Sequence, residues 1–240
     1  MFKRLLPMAA AMLSVVSFAQ DSPKSIAITD VRIERGDGRV IERGTIVVES
    51  GHIVSMGANV AAPAGALVIP GAGMTVVPGF VDAFSTRGLK VPAQEAQTPR
   101  VSTETAPPTM WEKNRKGIRS DLRAAAHLDL KTTAEDFHKQ GFTSGLVAPG
   151  NGTLRGIAAV THFLPDADEA SLPNPSFGLE ASFRGGSGEG YPGNILGIIA
   201  LLRQTLYDAQ RYATLDNAEK DEALAGLGPA LQGTTPTLLH

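Results

Sequence analysis

The sequence predicts an α/β fold in two parts: a small β-domain over residues 25–78, then strands alternating with helices over residues 79–240. Three observations predict it. Before Pro78, apolar residues alternate in short period-two bursts separated by glycine turns, the pattern of half-buried antiparallel strands. At Met74–Gly88 the string M-T-V-V-P-G-F-V-D-A-F-S-T-R-G joins two apolar β-rich segments through Pro78-Gly79 and ends beside a carboxylate, Asp82. Beyond it, buried apolar runs and helical patterns take turns, an order that suits a parallel barrel or a doubly wound sheet. A chain of 240 residues with 42% apolar content can bury a sizeable core.

Residues 1–19 stand apart. Lys3-Arg4 precedes an apolar run from Leu5, and Ser17 and Ala19 are small residues placed for cleavage after Ala19. This is the pattern of a secretory signal peptide. The run is shorter than the roughly 20 residues of a spanning helix, so no membrane span is expected after cleavage, and the protein is expected to be exported, periplasmic or secreted. There is no cysteine, which excludes disulfides and thiolate metal sites. A formal charge of −2 supplies no field that would draw nucleic acid or an anionic membrane.

From Ser25 the bursts are Ile26 and Ile28, Val31 and Ile33, Ile46 and Val48, then Ile53 and Met56. Gly36-Asp37-Gly38 and Ser50-Gly51 supply turns, because glycine accepts the positive φ that tight hairpins need. Four or five strands are expected, with a loop over 61–66 and a last apolar step at Leu67–Ile69. Lys90–Thr109 has no periodicity and reads as a long loop. It leads into a basic cluster from Trp111 to Arg119, for which an anion-recognising lid and a solvated turn are both open readings. Thr132 with Glu135 forms a capping-box pattern for a helix ending at Gly141. Phe142–Ala148 and Ile157–Leu164 are apolar runs expected as strands, with a turn at Pro149–Gly152; the sequon Asn151-Gly152-Thr153 is read as part of that turn. Asn194 caps a helix whose apolar residues Ile195, Ile198, Ile199, Leu202 and Leu206 recur at helical spacing. That face continues weakly to Leu224 and Leu227 until Gly228-Pro229 breaks it. A final strand begins at Thr234–His240.

The strings G-D-G-R-V-I-E-R-G-T-I-V-V-E-S-G-H-I-V-S-M-G and G-M-T-V-V-P-G-F-V-D-A resemble the N-terminal β-sandwich and first barrel strand of the amidohydrolase superfamily. Y-P-G-N from Tyr191, with L-R-Q-T and Y-D-A-Q downstream, resembles an exported subgroup often lacking the H-x-H pair. The resemblance implies a β-sandwich over 25–78 and a partial (β/α) TIM-type barrel over 79–240. It also implies hydrolysis of carbon–nitrogen bonds other than peptide bonds in small molecules. Active relatives use a divalent metal such as zinc, held first by H-x-H in P-G-[LF]-[IV]-D-x-H-x-H. In this chain Phe84 and Thr86 occupy the two histidine positions, leaving Asp82 and Ser85 as the candidates at the barrel mouth. Pro236–His240 resembles the start of a later ligand strand, which would make His240 a lone ligand.

The other histidines, His52, His127, His138 and His162, lack ligand spacing. Gly188-x-Gly190-x-x-Gly193 before a helix has the form of a dinucleotide fingerprint, but Pro192 removes an amide and no acidic residue closes a following strand. No G-x-S-x-G or P-loop occurs. A complete (β/α)₈ barrel takes about 250 residues, more than remain after residue 78, so the chain is expected to be a truncation, a fragment or half of a split protein. The expectation is thus a catalytically impaired amidohydrolase-like protein acting on a small-molecule substrate if active. The alternative is a non-catalytic partner of an active amidohydrolase paralogue or of a missing C-terminal half.

Overall fold

A computed structural model of the chain describes residues 25–92, 117–184, 192, 194–216 and 220–239. They divide into two compact units, one ending at Pro78 and the other beginning at Gly79.

The first unit is a single five-stranded sheet. Its strands are β1 (Ser25–Glu34), β2 (Val40–Glu49), β3 (His52–Gly57), β4 (Leu67–Pro70) and β5 (Thr75–Val76), in the order β3-β2-β1-β4 with β5 also paired to β1. Gly38 and Gly51 turn the two hairpins at φ +81° and +80°, as the glycine spacing requires. β1 and β2 run antiparallel, with an irregularity between Ile28 and Val31 where Asp30 adopts a positive φ. β4 and β5 lie parallel to β1. Val31, Ile33 and Ile46 form the buried centre, with Ile28, Ile41, Val48 and Val76 around them. The expected sandwich is corrected here: the described residues of this unit form one sheet, not two.

The second unit is built on another five-stranded sheet, β6 (Phe80–Ser85), β7 (Phe142–Val147), β8 (Leu154–His162), β9 (Asn174–Ala181) and β10 (Thr237–Leu239), ordered β10-β9-β8-β7-β6. This overturns the expected partial (β/α) TIM-type barrel. Only the outer pairs β6–β7 and β9–β10 are parallel; β7–β8 and β8–β9 are antiparallel. The reason is connection length. Ala148–Thr153 is all that separates β7 from β8, and a parallel crossover takes a dozen or more residues. The unit is therefore a mixed half-barrel dominated by its sheet, with α1 (Ala134–Lys139), α2 (Ile195–Tyr212), α3 (Glu222–Gly226) and α4 (Gly228–Leu231), of which only α2 is long.

The helical segments pack on one face of this sheet. Val147 and Ala159 are cross-strand partners, as are Ile157 and Leu179, and Ile157 and Ala159 point the same way along β8. Val147, Ala159 and Phe163 pack with Leu130, Ala134 and Phe137 of the α1 region, where the rings of Phe137 and Phe163 stack. Ile157, Leu179 and Ala181 pack with Leu201 and Ala209 of α2 and with Leu224 and Leu227. Asn194 caps α2 by accepting the Gly197 N–H at 2.9 Å. The capping box expected at Thr132 is not formed; Thr133 is the residue at the start of α1, without a side-chain cap. Pro229 does not simply end the helical region but occupies the first turn of α4, where its missing N–H costs no bond. No helix among the described residues is long and apolar enough to cross a membrane.

Candidate functional site

The candidate site lies where β6 and β7 end together. In open α/β sheets, ligands are held beyond the carboxyl ends of parallel strands. Among the described residues β6 is an edge strand, and its register against β7 slips: Asp82 opposes Gly145, but Ser85 opposes Val147. One extra residue on β6 resets the inward–outward alternation. Asp82 and Ser85 therefore share a face that strict alternation would deny them, and a Cβ placed on Gly145 would sit 3.1 Å from the Asp82 Cβ.

Both candidate side chains bond to the backbone of their own strand end. The Asp82 carboxylate accepts the Phe84 N–H at 3.1 Å, and the buried Ser85 hydroxyl accepts the Arg87 N–H at 3.1 Å. Such local turns by Asp and Ser fix a bend in the chain. The Ser85 carbonyl accepts the Ala148 N–H at 2.9 Å, tying the two strand ends together. Phe84 is half-buried and Thr86 is exposed, with Thr86 set against Gly150, where a Cβ would come within 3.1 Å of its methyl. Arg87 leaves the site: its guanidinium donates to Asp136 at 2.9 Å and lies 5.2 Å from the centre of the Phe137 ring. Farther along, Lys90 pairs with Asp129, and the hydrogen bond from Lys90 holds the Asp129 carboxyl below its ordinary value.

The histidines stay apart. His52 sits in a hairpin of the first unit with Nδ1 3.0 Å from the Ser50 carbonyl, His127 ends a 3-10 turn, and His138 is exposed on α1. Nδ1 of His162 meets the Ser144 hydroxyl at 2.9 Å across β7 and β8. Among the described residues no three His, Asp or Glu side chains converge as a metal shell would require. The donor set at β6 does not fit such an ion either, since Phe84 carries no donor atom and Thr86 offers one exposed hydroxyl. His240, most of the glycine loop and Trp111 with residues 112–116 of its basic cluster lie outside the described residues.

Sequence reasoning passed over one buried pair. Arg155 on β8 donates from Nη1 to Oε1 of Glu180 on β9 at 2.7 Å and from Nε to the Gly152 carbonyl at 3.1 Å, with Arg155 5% and Glu180 1% exposed. A signal was present: each is the only Asp, Glu, Lys or Arg in its strand, and the signs are opposite. Nothing in the local pattern says that the two strands are neighbours.

No protein-family profile and no curated protein sequence matches the chain. Among solved structures, an amidohydrolase from Thermotoga maritima superposes with a TM-score of 0.63 at 19% identity, over 90% of this chain. This supports an amidohydrolase-like fold. The chain spans 57% of the length of that protein. A putative prolidase from Bifidobacterium longum aligns over 26% of this chain and 16% of its own, at 25% identity and a TM-score of 0.24, which is too little to bear on the site.

Proposed function

We propose that this chain is an exported amidohydrolase-like protein whose ancestry is the hydrolysis of carbon–nitrogen bonds other than peptide bonds in small molecules, and whose own metal chemistry is impaired. The backbone likeness to the Thermotoga maritima amidohydrolase supports the first part. The observation that carries the second is the end of β6, where Phe84 and Thr86 stand in place of the H-x-H pair. A metal-bound water needs a shell of several donors to bring its pKa near neutrality; one carboxylate and one hydroxyl, both already accepting backbone N–H bonds, do not make one. The test is elemental analysis of the purified chain after zinc loading, with an amide and cyclic-amide hydrolysis panel. Substoichiometric zinc and no turnover are expected. Stoichiometric zinc with hydrolysis above the buffer rate would overturn the reading.

A further inference from the structure

The connection Ala148–Thr153 between β7 and β8 is held at its two ends and unbonded between them. At the front, the Ala148 N–H donates to the Ser85 carbonyl at 2.9 Å. At the back, the Thr153 N–H donates to the Gly117 carbonyl at 2.8 Å and Arg155 Nε to the Gly152 carbonyl at 3.1 Å. Between these anchors, the N–H groups of Gly150, Asn151 and Gly152 and the side chain of Asn151 make no hydrogen bond to the described residues. Asn151 is exposed, whereas Gly152 is buried against Gly117. An unrestrained side-chain amide thus lies next to a fixed backbone nitrogen, and the residue owning that nitrogen has no Cβ to crowd an approach. The other described asparagines each fail one of these conditions. Asn59 precedes Val60, whose branched Cβ shields the nitrogen. Asn174 precedes Pro175, which has no N–H to lose, and its side chain accepts the Ser176 N–H. Asn194 precedes Ile195 and is occupied as the cap of α2.

We infer that Asn151 is a site of self-modification, its side-chain amide converted to a carboxylate through attack by the Gly152 backbone nitrogen. That nitrogen gives its proton to solvent base and bonds to Asn151 Cγ. The Cγ–Nδ2 bond breaks, ammonia leaves, and a cyclic imide closes. Water then opens the ring. Breaking the new N–Cγ bond restores the main chain with aspartate at 151; breaking the bond from nitrogen to the backbone carbonyl carbon leaves isoaspartate, whose main chain runs through Cβ. Water is the co-reactant, and no electron is transferred. Either product places a new negative charge beside the strand ends where Gly150 stands against Thr86. In the isoaspartate form the added backbone atom must be taken up on the Gly150 side, because Gly152 is pinned. The inference does not depend on the catalytic reading.

Ageing the purified full chain in mildly alkaline buffer tests it, with tryptic mapping by mass spectrometry and fragmentation that separates aspartate from isoaspartate. The peptide from Gln140 to Arg155 carries Asn151 and no other asparagine. It should gain the mass difference between an amide and an acid, in both isomers. Its rate should fall within about tenfold of a synthetic peptide of the same sequence, since an unbonded segment opens at little cost. Asn59, Asn174 and Asn194 should lag by about tenfold or more. Ion exchange of the intact chain should resolve a form one charge more negative than the formal −2, and Asn151→Gln, at an exposed position, should fold normally and stay a single form. Conversion about a hundredfold slower than in the free peptide, equal conversion at Asn59, or a more acidic form that persists in Asn151→Gln would each overturn the inference. A sugar found on the Asn151 amide would overturn it as well, since the sequon would then hold the leaving nitrogen.

Discussion

Replacing Gly152 by alanine should destabilise the second unit by about 3–4 kcal/mol. Gly152 lies in the turn before β8 at φ +113°, and its missing Cβ would sit 2.6 Å from the carbonyl oxygen and 2.7 Å from the Cα of Gly117. Gly117 is itself at φ +73° with no room for a side chain against Gly152. The Gly117 carbonyl accepts the N–H of both Thr153 and Leu154 at 2.8 Å. An alanine thus incurs the left-handed backbone cost of about 1–2 kcal/mol and pushes two backbone hydrogen bonds apart at about 1 kcal/mol each. Gly233→Ala separates these contributions, because Gly233 also has a positive φ but nothing within 4 Å of a Cβ; it should cost only about 1–2 kcal/mol. Urea unfolding of the three proteins measures the difference, and hydrogen exchange at the Thr153 and Leu154 amides locates it. The Gly117→Ala and Gly152→Ala costs should fall short of additive in the double variant, since both break one contact. Equal stabilities for the Gly152 and Gly233 variants would refute the close-approach argument.

Two other tests follow from charged groups. Arg155→Ala removes the guanidinium partner of an almost fully buried carboxylate and should cost about 3–5 kcal/mol in the same unfolding assay, whereas the paired replacement Arg155→Met with Glu180→Leu should be far milder. For Lys90–Asp129 the sign follows from a carboxyl whose folded pKa is lowered, first by the Lys90 hydrogen bond. Its contribution is fully present above the ordinary value of 3.8 and is lost as pH falls through the lower folded value. Acid titration of unfolding should therefore show a shallower loss below pH 3.8 in Asp129→Asn than in the wild type.

Much of the secondary structure was legible because it is local. Period-two bursts marked β1 to β3, Gly38 and Gly51 marked their turns, and Asn194 marked the start of α2. What could not be read was direction and neighbourhood. An apolar run such as Leu146–Ala148 or Ile157–Val160 announces a buried strand but not whether its neighbour is parallel, and the short span Ala148–Thr153 was the one usable clue. The slip between Asp82 and Ser85 was equally hidden, since alternation counted along one strand presumes a regular partner. Arg155 and Glu180 stood out singly as charges in apolar strands; that they meet depends on β8–β9 pairing, which no window of sequence contains.

The antiparallel middle of the second sheet also sets an order of assembly. β7, β8 and β9 follow one another with short connections, so their loops close at little entropic cost and the three can form as one kinetic unit. β6 must wait for the long excursion from Thr86 to Gly141, and β10 for the helical segment after Ala181. β6, which bears Phe84 and ends just before Thr86, is thus, among the described residues, an edge that joins late and opens early. Substitutions there burden the folding of the remainder least, which makes β6 the strand of this sheet whose residues can change while the sheet around it persists.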